Sequence, residues 1–205
     1  MALSPTEIEA IYYKSLSEPM NEALIRLLFG AYNTAHGDCD KFAEQEARDL
    51  LPIYRWIQIR SDLLGLSARF DGILATSEQY HTRLTAGGII LTAHSVEAPG
   101  ELPREAEYRR KYACTSQTDM WGDADGEYIY AILAHAQDPA EHRQPLFADI
   151  LFPDKRYDGL VHSIKLFEKF PALVSELRIS KVEETQEQPV ITPKKQIKTQ
   201  NEETH

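Results

Sequence analysis

Apolar residues recur at helical spacing along the first 66 residues, and this pattern predicts three helices. The first is predicted to begin at residues 4–7, Ser-Pro-Thr-Glu, which form a capping box with proline at the first helical position. The second is predicted to begin near Pro19. The third contains Pro52, which removes a backbone donor, so we expect a kink or a break there.

The pattern changes at Ser67 to short apolar and β-branched runs, which predict strands. Gly87 and Gly88 precede one of these runs and predict a turn or a bulge. The predicted strands cover residues 70–75, 87–94, 127–136 and 146–152. The last two lie close enough along the chain to pair as a hairpin.

The connection at residues 97–126 is predicted to be mostly irregular, with a short helix at 103–112. Residues 158–177 carry apolar positions at helical spacing, interrupted by Pro171, and predict an amphipathic helix. From residue 180 onward Glu, Gln, Thr, Lys and Pro dominate with few apolar anchors, a composition that predicts disorder.

Helices followed by strands and then by one helix indicate the α+β class rather than alternating βαβ units. We expect one domain at residues 1–179, with a helical part at 1–66 and a strand-rich part at 67–179. A disordered tail is expected at 180–205. The expected architecture is an N-terminal layer of about three helices, packed on a small mixed or antiparallel sheet, with one C-terminal helix.

The net charge of −10 lies on the part of the chain that is expected to fold, because residues 161–205 are neutral overall. Lys and Arg form only short runs, such as 109–111 and 194–195, too few for a phosphate-binding surface, so we expect no nucleic-acid partner. No apolar run approaches the roughly 20 residues that span a bilayer, and the N-terminus has no secretory pattern. Two cysteines make no disulfide framework. We therefore expect a soluble, acidic, cytoplasmic protein without membrane association.

Two predicted strands end in the same residue pair, Ala-His, at His94 and at His135. If the two strands are parallel neighbours, both imidazoles fall at one end of the sheet; if they are antiparallel, the imidazoles fall at opposite ends. In the parallel case, nitrogen and oxygen ligands for a divalent metal would come from these histidines with His142, Asp138 or Glu97. This is the hypothesis of a metal-dependent hydrolase, whose metal activates a water. In the alternative, each histidine ends its strand with a hydrogen bond to a loop.

Cys114 is the other candidate catalytic residue. It follows the basic residues 109–111, whose positive charge favours a thiolate, and it would act as a nucleophile with His94 or His135. Cys39 lies between two aspartates, which disfavour its thiolate. The alternative for either cysteine is a small buried apolar side chain.

The sequence contains no glycine-rich phosphate loop, no nucleophile elbow and no zinc-protease motif. Together with the acidic charge, this favours a non-catalytic accessory or interaction protein, such as an adaptor, an inhibitor or an immunity-type binder of a basic protein. No cofactor is expected apart from the divalent metal of the hydrolase hypothesis. In the long connection, Trp121 is the candidate partner-binding residue, with Asp119 and Asp123 beside it.

Overall fold

The computed structural model describes residues 3–78, 81–118 and 128–186, and side chains are described except at 115–118 and 180–186. Helices and strands alternate in blocks along the chain. The helices are α1 Pro5–Ser15, α2 Glu18–Cys39, α3 Glu44–Leu66, α4 Glu107–Thr118, α5 Leu166–Lys169 and α6 Pro171–Gln186. The strands are β1 Ile73–Ser77, β2 Thr82–Ala86, β3 Ile89–Ser95, β4 Ile129–Gln137, β5 Pro145–Pro153 and β6 Leu160–Lys165. Within these ranges no helix is both long and apolar enough to cross a membrane.

The three N-terminal helices form one layer, as the periodicity predicts. The capping box of α1 is confirmed, because the Glu7 backbone N–H donates to Ser4 Oγ at 3.3 Å and the Ser4 N–H donates to Glu7 Oε2 at 2.8 Å. The third helix begins after Ala43 and runs unbroken past Pro52, so it is one helix rather than two. Its length suits a layer that covers most of one face of the sheet.

The six strands form one mixed sheet in the order β1-β2-β3-β4-β5-β6. Every neighbouring pair is antiparallel except β3 and β4, which are parallel and are connected by a segment that contains α4. A parallel pair needs such a crossover, whereas antiparallel neighbours are joined by short turns. The β4–β5 hairpin predicted from the sequence is confirmed.

The turn between β2 and β3 is tightly packed against α1. Gly87 has a φ of +50°, and a Cβ at this position would lie 2.7 Å from Ser15 Oγ. The next backbone N–H, at Gly88, donates to Ser15 Oγ at 3.2 Å. The glycine pair therefore makes a turn that brings the first helix close to the sheet.

The two faces of the sheet are covered unequally. The face under α1, α2, α3 and α6, here called the helical-layer face, holds a core cluster of 28 buried residues. The opposite face, here called the α4 face, holds a cluster of eight, which includes Tyr130, Ile132 and Leu151. Side chains of one strand alternate between these two faces.

Three elements differ from the sequence-based expectations. Residues 82–86 form strand β2, which the sequence analysis left unassigned. The predicted helix at 158–177 is strand β6 followed by two helices, because β6 pairs with the outer edge of β5 and satisfies its backbone groups. Helix α4 starts four residues later than predicted and extends to Thr118.

The C-terminal helix α6 continues through Gln186, so its last seven residues lie in the segment for which the sequence predicts a disordered tail. Residues 187–205 lie outside the described part of the chain. The α+β class, the helical layer on a mixed sheet and the C-terminal helix are confirmed.

Candidate functional site

His94 and His135 lie at the carboxyl ends of β3 and β4, which are adjacent and parallel. The register pairs His94 with Ala134 and Ser95 with His135, so the two histidines are offset by one residue. A one-residue offset turns a side chain to the other face of a sheet. His94 therefore faces α4, and His135 faces the helical layer, even though both border one cavity of about 100 Å³ at the strand ends.

On the helical-layer face, His135 is 4% exposed and its Nδ1 lies 2.9 Å from the hydroxyl oxygen of Tyr32 on α2. Burial, with a smaller contribution from the nearby Arg55 charge, lowers the pKa of His135 to about 3. Burial raises the pKa of Tyr32 to about 12, although Arg55 opposes this shift. The pair is thus a neutral imidazole held by a neutral phenol.

Arg55 of α3 lies beside this pair and is only 7% exposed. Its guanidinium carbon lies 4.4 Å from the centroid of the Tyr32 ring, and its Nη2 donates to Gln137 Oε1 at 2.5 Å. A β-bulge interrupts the β4–β5 register between Ala136 and Gln137, and such bulges redirect side chains at the ends of strands. Sequence analysis missed Arg55, although it occupies the same helical stripe as the buried Ile59 and Leu63.

On the α4 face, the ring of His94 accepts and donates hydrogen bonds within a second polar cluster. Arg109 Nη2 donates to its Nδ1 at 3.1 Å, so the ring proton of the neutral form is on Nε2. This Nε2 lies 3.0 Å from Thr92 Oγ1 and 3.2 Å from the Tyr108 hydroxyl. Burial, and then the charge of Arg109, hold the pKa of His94 well below its ordinary value. The cluster keeps this imidazole neutral and fixed in orientation.

A further histidine, His81, extends this cluster, and the sequence analysis did not identify it. Its ring stacks on Tyr108 with centroids 3.8 Å apart, and its Nε2 lies 3.3 Å from Glu78 Oε2. Tyr112 also reaches Glu78, and its hydroxyl lies 3.3 Å from His81 Nε2. Tyrosines on one face of α4 therefore connect two histidines, a role that the spacing Tyr108–Tyr112 on the helix could have suggested.

The proposed metal ligands do not converge. Among the described residues, no three His, Cys, Asp or Glu side chains are placed so that they could hold a metal ion. Asp138 instead caps the β4–β5 loop by accepting from the Ala140 backbone N–H at 2.9 Å. His142 lines a different cavity, which Arg55 also borders. The register places the rings of His94 and His135 on opposite faces of the sheet, although both residues line one cavity.

Cys114 is exposed on α4 and lines a third cavity, of about 820 Å³, with Arg110, Lys155 and Arg156. Neither His94 nor His135 lines this cavity. His94 is contacted by Tyr108 and Arg109, which lie six and five residues before Cys114 on α4, and His135 lies on the opposite face. The structure does not bring Cys114 together with either imidazole.

The candidate partner-binding residues Trp121, Asp119 and Asp123 lie outside the described residues. A different tryptophan, Trp56 on α3, is 42% exposed and stands between two exposed isoleucines. Comparison with models of known protein families, with curated proteins and with solved structures gives no match for this chain. The residues themselves are therefore the basis for a functional proposal.

Proposed function

We propose that the protein is a non-catalytic interaction protein, of the adaptor, inhibitor or immunity type, that docks a basic protein partner on α3. Three of the six exposed large apolar side chains in the described chain carry this proposal, because all three lie together on the outside of this helix. They are Ile53, Trp56 and Ile57, with exposed fractions of 52%, 42% and 50%. Single exposed apolar residues are ordinary, but a contiguous group indicates an interaction site.

The helical spacing places these residues on one surface. Ile53 and Ile57 are four residues apart and Trp56 lies three from Ile53, so they are neighbours on the helix. Glu46 and Asp49 continue the same surface toward the N-terminus of α3, and both are exposed. We call these five residues the α3 outer face. It presents an apolar centre with acidic side chains at one end.

The charge of this face supports a basic partner. Within the described residues, neither Glu46 nor Asp49 forms an ion pair, and Asp49 accepts only from the neutral Gln45 amide at 3.2 Å, so neither carboxylate is neutralised before a partner's Lys or Arg binds. The net charge of −10 would accelerate encounter with such a partner and would disfavour nucleic acid. An apolar centre with a charged rim is the usual composition of a protein interface.

Trp56 has the properties of an anchor residue. The guanidinium of Arg60 lies over its ring at 5.2 Å, and Arg60 is itself held by the Glu78 backbone carbonyl at 3.1 Å. This contact limits the movement of Trp56 before a partner binds. Binding then costs less side-chain entropy, which is why rigid aromatic residues dominate interface energies.

A cytoplasmic location belongs to the same proposal. Cys39 and Cys114, both in the described part of the chain, form no disulfide, and Cys114 is exposed. Exposed thiols suit a reducing compartment.

The proposal is tested with the full-length protein and a fluorescein-labelled amphipathic peptide of leucine and lysine. Fluorescence anisotropy should show binding that weakens as salt rises, because charge contributes to the contact. The double variant Ile53→Ser/Ile57→Ser should weaken binding by about tenfold or more. The matched control is Leu74→Ser, which removes an equally exposed apolar side chain from edge strand β1, and it should leave binding unchanged.

Two further measurements complete the test. The same peptide with glutamate in place of lysine should bind about tenfold or more weakly than the basic peptide. Light scattering should show that the protein has the same mass with and without the double substitution. Equal binding of the acidic peptide, binding that survives the double substitution, or self-association that the double substitution abolishes would each overturn the proposal.

A further inference from the structure

We infer that a cavity beside Arg55 binds the carboxylate group of a small organic acid, with the Arg55 guanidinium as its ligand. This cavity lies on the opposite side of α3 from its outer face and has a volume of about 740 Å³. It is bordered by α2, by α3 and by the β4–β5 loop. The residues that the inference uses are Arg48, Arg55, Asp40, Glu44 and Gln137.

Arg55 is a buried cation whose charge is only partly compensated by the protein. Within the described residues it forms no ion pair, and its buried Nε has no hydrogen-bond partner. The Gln137 amide oxygen and the Tyr32 ring are its neutral contacts. Leaving a charge buried without a counter-ion costs several kcal/mol, so a site that retains one is suited to an anion.

The surroundings hold the guanidinium in place for such a ligand. Tyr32 is fixed by its hydrogen bond to His135, and Gln137 is directed toward Arg55 at the β-bulge. These supports come from α2 and β4, which are regular, hydrogen-bonded elements of the fold. A preorganised guanidinium loses little entropy when an anion binds.

The position of the site agrees with the topology. The cavity opens at the carboxyl end of β4, where Gln137 and Pro139 line it, and β4 and β3 are the one parallel pair among the described strands. Crevices outside the carboxyl ends of parallel strands are common ligand sites in α/β sheets. The cavity beside Arg55 has a corresponding position at the end of β4 in this α+β sheet.

The charges around the cavity favour a carboxylate over a phosphate. Asp40 and Glu44 line it together with the two arginines, and Asp40 is already paired with Arg143 at 3.3 Å. A singly charged ligand meets less repulsion from these carboxylates than a doubly charged phosphate does. The Nε and Nη groups of arginine also match the two oxygens of a planar carboxylate.

The inference is tested by following the arginine Nε–H resonances of the ¹⁵N-labelled full-length protein during titrations at constant ionic strength. The probes are the sodium salts of acetate, hexanoate, benzoate, glutamate, phosphate and sulfate. We expect at least one carboxylate to shift the Arg55 resonance saturably, with a dissociation constant below about 1 mM. Phosphate and sulfate should bind about tenfold or more weakly.

The Arg55→Lys variant assigns the resonance and should weaken carboxylate binding by about tenfold or more, since lysine keeps the charge but lacks the Nε–H. Arg48→Gln is the matched control, because Arg48 lines the same cavity but is exposed, and it should retain saturable binding. If Arg55→Lys fails to fold, the Arg55 resonance is assigned instead from its through-space contact with the Tyr32 ring, and the wild-type titration still decides the matter. Absence of a saturable shift with any carboxylate, or tighter binding of phosphate or sulfate, would overturn the inference.

Discussion

Each face of the central sheet buries one strand-end histidine, and the two histidines differ in their polar contacts. On the helical-layer face, the ring of His135 has one hydrogen-bond partner among the described residues, the Tyr32 hydroxyl, at the edge of a large apolar core. On the α4 face, His94 belongs to a network in which Thr92, Tyr108 and Arg109 contact both ring nitrogens. The face covered by one short helix therefore compensates for a small apolar cluster with hydrogen bonds and stacked rings.

The difference shows that the number of helices packed on a face of the sheet determines how its polar side chains are buried. Several helices bury the helical-layer face mainly with apolar side chains, and the Tyr12–Asn21 and Tyr32–His135 hydrogen bonds are a minor part of it. A single helix cannot bury the α4 face in this way, so tyrosines, which combine apolar rings with a hydroxyl group, fill the remaining space. The two faces should consequently respond differently to the same substitutions.

The largest expected effect comes from matched truncations on the two faces. Ile150 faces the helical layer and Ile132 faces α4, and both are fully buried. Replacing either with alanine should lower the free energy of unfolding by about 2–5 kcal/mol. Ile150→Ala should lie near the upper end, because the large core cannot collapse around the cavity as easily as the small cluster can. Urea denaturation measures both; an equal or larger loss for Ile132→Ala would contradict the comparison.

The next effect concerns acid stability. His135 has its pKa lowered from 6.5 to about 3 when folded, so between these values the unfolded chain binds a proton that the folded chain does not. The contribution of neutral His135 to the free energy of unfolding is complete above the pKa of the unfolded chain. As the pH falls below that value, the free energy of unfolding decreases by about 1.4 kcal/mol per pH unit. The lowered pKa of His94 acts in the same direction.

Denaturation at several pH values tests this linkage on each face. His135→Gln and His94→Gln should each reduce the steepness with which stability falls below about pH 6.5, because each removes a group that titrates on unfolding. An unchanged pH dependence in either variant would show that the histidine concerned has the same pKa in the folded and the unfolded chain, and would contradict the lowered pKa.

The smallest effect comes from removing one hydroxyl group on each face. Tyr32→Phe leaves His135 Nδ1 buried without its partner, which should cost about 1–3 kcal/mol. Tyr108→Phe should cost about 0.5–1.5 kcal/mol, because Thr92 and Arg109 still contact His94. Thermal unfolding of the two variants measures both losses of stability. A larger loss for Tyr108→Phe would show that the Tyr108 hydroxyl, and not the Tyr32 hydroxyl, is the contact that its histidine cannot replace.

Much of the fold could be predicted from local sequence. The capping box of α1, the periodicity of the helical layer and the β4–β5 hairpin depend on residues that are close along the chain. Strand β6 was predicted as a helix because its apolar spacing fits both periods over so short a length, and pairing with β5 decided between them. Strand β2 was missed for a related reason, since its pairing with both neighbours determines its structure.

The candidate sites were less predictable. The sequence analysis identified the two strand-end histidines, and their strands are parallel neighbours as one of its alternatives required. It did not identify Arg55, His81 or the outer face of α3. The role of each of these depends on the residues that pack beside it, which the local sequence does not show. An exposed apolar residue on a helix has the same local sequence pattern as a buried one.

By itself, the sequence determined the α+β class, the layer of N-terminal helices and the acidic character of the chain. These properties follow from composition and from periodicity within each segment. Only the tertiary structure decided that His94 and His135 face opposite sides of the sheet. Strand register is a long-range property, and an offset of one residue moves a side chain from one face to the other.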